Sequence, residues 1–301
     1  MTLSLRRWAP LLGLLSTASL HAADAEDEPL TPASVIAAST PDDWRQPAQE
    51  HLVYLKLAAG EVVFERAPDF APRHVANLQT LIRQRYFDGL AVVRSQDNYV
   101  AQWGDPLAGS DESKPLGDAQ ASLDGEFFRP RAGIDLTLID SRDPYADEVG
   151  FSRGFTVGSD GKRAWLTHCY GALGAGRGME QDSGNGAELY VVTGHAPRHL
   201  DRNVTLLGRA LDGIDVLSSL PRGTGALGFF ETPEETLPIV SLRLGSDLPP
   251  AERKRFEVMR TDTETFRRYV EARTFRKHPW FLDEAGRIGL CNVGVPVRPA
   301  P

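Results

Sequence analysis

The feature that most constrains this chain is a series of short segments rich in β-branched and aromatic residues, separated by glycine, proline and other turn residues. Such segments are typical of strands in all-β folds. The predicted strands are LVYLKL (52–57), EVVFERA (61–67), AVVR (91–94), YVAQW (99–103), AWLTHCY (164–170), ELYVVTG (188–194), NVTLLGRAL (203–211) and LPIVSLRLG (237–245). Helices are predicted from Pro72 to Gly89 and over 211–220. We therefore expect a mainly β fold, a closed antiparallel β-barrel capped by helices.

Composition divides the chain into a barrel domain and the segments on either side of it. Residues 48–246 form the predicted barrel domain, and its segments 107–164 and 171–187 are predicted to be long loops because turn residues dominate them. Residues 23–47 are acidic and aperiodic, which predicts a linker or loosely packed arm. Residues 247–301 are predicted to be a helical C-terminal extension that packs on the barrel. The alternative for this extension is a helix that binds a partner.

Residues 1–22 have the pattern of a secretory signal peptide. Arg6 and Arg7 supply the positive start, and a short apolar stretch and small residues follow. The apolar stretch is too short to span a bilayer comfortably, and no later segment resembles a transmembrane helix. We expect an exported, periplasmic protein with no membrane insertion after signal cleavage.

Charge and cysteine content narrow the possible partners and the redox environment. The formal net charge is −8 and lysines and arginines form no basic cluster, so nucleic acid is not expected as a partner. The two cysteines, Cys169 and Cys291, can form a disulfide in an oxidising compartment. The alternative is two unrelated buried thiols, because sequence alone does not show whether their backbones approach closely enough.

One arginine stands out within the run VVRSQDNYVAQWGDP (92–106). Arg94 follows Val92 and Val93 in a segment that otherwise looks like buried sheet. An arginine in apolar surroundings needs partners for its N–H donors. Its partner can be a structural ion pair or a bound substrate, and the surrounding motifs favour a substrate.

The run from Leu52 to about Leu244 resembles the cyclophilin family of peptidyl-prolyl isomerases. Several separated motifs carry this resemblance in the same order along the chain: APRHVANL (71–78), YFDG (86–89), VVRSQDNYVAQWGDP (92–106), NGAELYV (185–191) and HLDRNVTLLGRALDGIDVL (199–217). The resemblance implies a capped β-barrel and the isomerisation of bonds that precede proline, with proline-containing polypeptides as substrates.

The resemblance also implies roles for individual residues. Arg94 matches the catalytic arginine, and Gln102 matches the glutamine that positions it. The residues that match substrate-binding positions are Tyr99, Val100, Glu188, Leu189, Tyr190, His199, Leu200 and Val204. Three positions depart from the family pattern: Glu188 replaces a glutamine and adds negative charge near the groove, Val204 replaces a histidine, and the histidine that usually precedes the arginine is absent.

The proposed chemistry suits these residue types. The peptide bond resists rotation with a barrier of about 18–20 kcal/mol, and exchange of X–Pro bonds without a catalyst takes tens to hundreds of seconds. Halfway through the rotation the lone pair localises on the prolyl nitrogen, so a guanidinium aimed at that nitrogen stabilises the transition state more than the ground state. The reaction needs no nucleophile, metal or cofactor.

Two other functional classes are alternatives to catalysis. A binding module would have the same barrel and hold proline-containing segments with little or no turnover. A metal site would use His168, Cys169, His195 and His199, but the last two lie in a proline-interrupted turn rather than on a helix, which does not favour metal binding.

Overall fold

The computed structural model describes residues 30–301, so the predicted signal peptide lies outside the described residues. Within 30–301, no helix is both long enough and apolar enough to cross a bilayer. The α-helices are α1 (Pro32–Ala37), α2 (Pro72–Arg83), α3 (Ile214–Ser218) and α4 (Glu264–Thr274). The strands are β1 (Trp44–Arg45), β2 (Leu52–Leu57), β3 (Gly60–Arg66), β4 (Ala91–Ser95), β5 (Val100–Gly104), β6 (Arg129–Pro130), β7 (Thr137–Leu138), β8 (Glu148–Ser152), β9 (Phe155–Ser159), β10 (Arg163–Leu166), β11 (Ala172–Ala175), β12 (Leu189–Val192), β13 (Leu206–Asp212), β14 (Leu237–Leu244), β15 (Phe256–Met259) and β16 (Val297–Pro299).

Eight strands close into an antiparallel barrel in the order β11-β12-β5-β4-β14-β2-β3-β13, and β13 pairs with β11 to complete the ring. Its interior contains Phe64 and Trp103, which are fully buried. Helix α2 adds Leu78 and Leu81 to the same core, and α3 adds Leu217. The prediction of a closed barrel capped by helices is confirmed.

The segment 107–164, predicted to be loops, instead contains β6 to β9, which form a five-stranded sheet with β10 in the order β6-β10-β9-β8-β7. We call it the inserted sheet, and β10 is the first part of the strand predicted over 164–170. Strands β8 and β9 form a hairpin whose turn residues Arg153 and Gly154 both have positive φ, 51° and 89°. The sheet buries Phe151 and Val157 completely. The prediction was wrong because glycine lies inside the two longest of these strands, Gly150 in β8 and Gly158 in β9, and glycine is typical of turns rather than strands.

The glycine-rich segment 171–187 was also predicted to be a loop, but it contains the barrel strand β11. Gly174 pairs directly with Tyr190 on β12, and a Cβ at position 174 would lie 2.4 Å from the tyrosine hydroxyl oxygen. A small residue is required there because the tyrosine lies across the strand. The glycine that this packing requires is one of the residues that made the segment resemble a loop.

The described part of the arm is folded rather than loose. Val35 on α1 and Trp44 on β1 are buried, and β1 pairs with β15 of the extension. The extension is only partly helical, because β15 and β16 form a three-stranded sheet with β1. Helix α4 begins only after Thr263, whose hydroxyl accepts a hydrogen bond from the backbone N–H of Phe266 and caps the helix.

The arm, the inserted sheet and the extension share a second hydrophobic core, and we call these three parts together the accessory module. Its core brings together Val35, Phe151 and Phe266, with one residue from each of the three parts. Cys169 follows the inserted sheet and forms a disulfide with Cys291 of the extension, with Cα atoms 5.0 Å apart. The disulfide therefore joins the extension to the segment that leads into barrel strand β11.

Candidate active site

A β-bulge sets the direction of Arg94. The β4–β5 register pairs Val92 with Trp103 and then Arg94 with Gln102, so Val93 is the extra residue. Without this shift, Arg94 would point into the barrel like Val92, because alternate residues of a strand share a face. The bulge turns the arginine to the outer surface of the barrel, and bulges often re-aim a side chain in this way next to active sites.

Four strands then place their functional residues in one row. Arg94 on β4 pairs with Gln102 on β5, Gln102 pairs with Tyr190 on β12, and Tyr190 pairs with Gly174 on β11. Paired residues on one face of a sheet have Cβ atoms about 4.5–5.5 Å apart, so a row of this kind is a rigid surface. The predicted arginine, its glutamine and the pocket tyrosine are thus neighbours on one continuous sheet.

Neutral acceptors hold the Arg94 guanidinium and leave part of it free. Its Nε donates to the Leu227 carbonyl at 2.7 Å, one terminal nitrogen donates to Gln102 Oε1 at 3.0 Å, and the other donates to Gln96 Oε1. The guanidinium carbon lies 5.5 Å from the Tyr99 ring centroid. Since these three bonds use three of the five N–H groups, each terminal nitrogen keeps one donor for a ligand.

The carboxylate of Glu188 is connected to Arg94 through Gln102. Gln102 Nε2 donates to Glu188 Oε1, so the amide must turn its oxygen towards Arg94. Burial raises the pKa of the Glu188 carboxyl, while the charge of Arg94 acts to lower it. Burial lowers the pKa of Arg94, while Tyr99 and Glu188 act in the opposite direction, and the guanidinium remains charged at neutral pH.

A cavity of about 320 Å³ lies beside Arg94. Its lining is mixed and contains apolar and aromatic side chains together with two arginines. The residues that line it are Arg94, Tyr99, Val100, Gln102, Gly176, Arg177, Gly178, Tyr190, Leu200 and Val204. An apolar surface beside a charged N–H donor can hold an apolar ring while presenting a hydrogen bond to its polar atom.

Glu188, one of the predicted substrate-binding residues, lies outside this lining and contacts Gln102 instead. Two further predicted substrate-binding residues do not reach the cavity. Leu189 is buried in the barrel core, because it precedes Tyr190 on β12 and adjacent residues of a strand point to opposite faces. His199 is exposed and lies outside the lining, although its neighbour Leu200 is within it. The structure therefore corrects both of these assignments.

The predicted alternative metal ligands have other partners or lie apart. His168 uses both ring nitrogens within the protein, with Tyr190 and Asp201 at 2.8 and 2.9 Å, and Cys169 is in the disulfide. His195 and His199 are exposed.

Several residues around the arginine were not predicted from the sequence. The segment 223–231 runs beside the end of β4, where Phe229 forms a bridge with Arg94 and its ring centroid lies 5.1 Å from the guanidinium carbon. Arg177, from the segment predicted as loop, lines the cavity. Gln96 had a detectable signal, because it lies two residues after Arg94. Nothing in the sequence of 223–231 indicated contact with β4.

Comparison with known proteins agrees with this geometry. The family Cyclophilin type peptidyl-prolyl cis-trans isomerase/CLD matches residues 52–244. Proteins described as probable peptidyl-prolyl cis-trans isomerases from Brucella suis and Brucella melitensis are each 25% identical over 177 residues, which cover 59% of this chain and 74% of theirs.

A solved structure extends the similarity beyond the barrel. The crystal structure of cyclophilin AquaCyp293 from Hirschia baltica is 29% identical, with a TM-score of 0.68. The match covers 89% of this chain and 97% of that chain, so it includes more than residues 52–244. With the family matched over well over half of its length, this chain belongs to the cyclophilin-type peptidyl-prolyl cis-trans isomerases.

Proposed function

We propose that this isomerase accelerates rotation of X–Pro bonds in exported or unfolded polypeptides, with Arg94 as the donor to the prolyl nitrogen in the transition state. The observation that carries the proposal is the placement of Arg94 at the cavity with free N–H groups and no direct carboxylate partner among residues 30–301. A carboxylate paired directly with Arg94 would occupy its N–H donors and lower the positive potential that the transition state needs.

The cavity supplies the second requirement, which is to hold the ring. Tyr99, Val100, Tyr190 and Leu200 offer apolar surface beside the guanidinium. When the ring is held, the preceding carbonyl can swing while the nitrogen stays near its donor. Gln102 keeps the guanidinium in position, and Glu188 in turn keeps the Gln102 amide oriented.

The test is a protease-coupled isomerisation assay on a proline-containing peptide, using the mature protein and Arg94→Ala. We expect kcat/KM to fall by about 100-fold or more, because the lost donor acts mainly in the transition state. Arg83→Ala is the matched control, since Arg83 is a surface arginine on α2 that pairs with Asp247 at 3.2 Å. Equal activity in wild type and Arg94→Ala would remove Arg94 from this role.

A non-catalytic binding module is the second candidate, and Glu188 is the observation that favours it. Its carboxylate accepts a hydrogen bond from Gln102, which in turn accepts one from Arg94, so its negative charge reduces the positive potential at the cavity. A wild-type protein that binds a proline-containing peptide without accelerating isomerisation would support this candidate and contradict the first.

The exported location is part of the proposal. The signal-like pattern of residues 1–22 supports it, and so does the Cys169–Cys291 disulfide, because such bonds persist mainly in oxidising compartments. Fractionation of cells that express the full chain should recover the protein in the periplasm with the signal removed. Recovery of the uncleaved chain in the cytoplasm would contradict this location.

A further inference from the structure

Behind the cavity, a chain of buried polar groups leads away from Tyr190. Its hydroxyl oxygen lies 2.8 Å from His168 Nε2, and His168 Nδ1 lies 2.9 Å from Asp201 Oδ1. Asp201 also accepts from Arg198 Nε at 2.6 Å, and Arg198 pairs with Asp143 at 2.7 Å. His168 is 0% exposed and Asp201 is 2% exposed, so water does not compete for these bonds.

The charges along this chain set the direction of its hydrogen bonds. Although burial acts to raise it, the hydrogen bond from His168 and the charge of Arg198 hold the pKa of Asp201 below its usual value. An ionised carboxylate can only accept, so Nδ1 of His168 carries a hydrogen. In the neutral ring Nε2 then accepts from the Tyr190 hydroxyl, and burial raises the pKa of this phenol, which keeps its proton.

His168 also connects the two walls of the cavity. Tyr190 lies on β12, whereas Leu200 lies on the turn 198–201, which Asp201 closes. The backbone N–H of His168 donates to the same Asp201 oxygen as its ring does, at 3.0 Å. His168 therefore contacts both elements: its ring bonds to Tyr190 on β12 and to Asp201 at the end of the turn.

We propose that His168 is a positioning residue for the proline pocket, which acts by holding the Tyr190 hydroxyl and the 198–201 turn at a fixed separation. This inference rests on the proposed pocket. A phenylalanine at 190 would fill the same space, but the hydrogen bond gives the tyrosine one defined position across Gly174. His168 itself does not line the cavity, so its effect reaches substrate only through Tyr190 and Leu200.

The test is a double-mutant cycle with His168→Leu, Tyr190→Phe and the double variant, in which kcat and KM are measured separately. We expect His168→Leu to raise KM by roughly five- to ten-fold, the effect of about one hydrogen bond, with a smaller change in kcat. The same substitution in the Tyr190→Phe background should raise KM by less than it does in the wild type, because the bond to Tyr190 is already lost and only the ring's bond to Asp201 remains to be removed. Additive effects would overturn the proposal.

A matched control separates positioning from general destabilisation. His74 is also a buried histidine bound to a carboxylate, at 2.7 Å from Glu126, but it lies on α2 away from the cavity. His74→Leu should lower the free energy of unfolding without raising KM, and an equal rise in KM would overturn the proposal.

Two further outcomes keep the test decisive. If His168→Leu does not fold, Tyr190→Phe alone tests the bond, and an unchanged KM in that variant would overturn the proposal. Leu200→Ala separates failure of the positioning role of His168 from failure of the proposed pocket. If it raises KM while His168→Leu does not, the pocket stands and only the positioning role fails, whereas wild-type protein without isomerase activity would refute the proposed function itself.

Discussion

The barrel and the accessory module are built in different ways. In the barrel, β2–β3 and β4–β5 are antiparallel pairs between strands that follow one another in the chain. In the accessory module, strands from both ends of the described chain pair in one sheet, and the strands of the inserted sheet are two to five residues long. The barrel strands close into one continuous ring, in which β2–β3, β4–β5 and β11–β12 are the pairs of consecutive strands. The accessory module is instead assembled from three separate parts of the chain and carries a disulfide.

The cavity lies where these two regions meet. Val100 and Tyr190 of the barrel pack in one cluster with Phe155 and Val157 of the inserted sheet. The turn that carries Leu200 is held by Arg198, which pairs with Asp143 in the segment between β7 and β8. The barrel supplies the proposed catalytic arginine, and the module packs against the residues of the proposed pocket.

The sharpest test of this division compares one core residue from each region. Phe64 in the barrel and Phe266 in the module are both fully buried, and replacement of either by alanine should cost about 3–5 kcal/mol of unfolding free energy. In Phe64→Ala, we expect isomerase activity to be lost in the same urea range as the folded barrel. In Phe266→Ala, we expect the accessory module to unfold at a lower urea concentration than the barrel, so that isomerase activity persists after the module has unfolded.

Urea titrations followed by activity and by tryptophan fluorescence would measure both transitions. The two regions would be one cooperative unit, and the comparison would fail, if activity and fluorescence were lost together in Phe266→Ala.

A smaller effect is expected from the disulfide, which closes a loop with a sequence separation of 122 residues. Replacing Cys169 and Cys291 by alanine should lower the free energy of unfolding by about 2–4 kcal/mol, mainly by releasing the unfolded chain. Wild-type protein in excess dithiothreitol is the control and should match the variant in chemical denaturation. Stability that does not change in either case would show that the two regions are held together by packing alone.

The smallest effect concerns Glu188, at the edge of the barrel site. Its raised pKa means that the native state favours the protonated acid, so the wild type is relatively destabilised once pH rises through that pKa. Glu188→Gln should be more stable than wild type at neutral pH, by less than about 1 kcal/mol. The advantage should shrink as pH falls and disappear below about 4.3, the ordinary glutamate pKa.

Denaturation at a series of pH values would measure this difference. Glu112→Gln, at an exposed position, is the matched control. A stability difference between wild type and Glu188→Gln that does not change with pH would contradict the assignment of the effect to the buried carboxylate.

The sequence was sufficient for the barrel and for the centre of its site. The strands around Arg94 and Gln102 carry enough β-branched and aromatic residues to be recognised, and the motif order places arginine, glutamine and tyrosine in register. It was insufficient for β11, where packing against Tyr190 demands glycine at position 174, and for Leu189, where only the strand phase decides which side chain faces the cavity.

By itself, the sequence determined the pattern of the longer strands, which is local because each residue's place on a strand follows from its neighbours. Tertiary structure alone decided that a bulge turns Arg94 outward, that Phe229 packs on its guanidinium, and that His168 bonds to Tyr190. The contacts with Phe229 and between His168 and Tyr190 join residues from different segments of the chain, and the bulge depends on how β4 and β5 pair. The free energy that selects them exists only once these segments have come together.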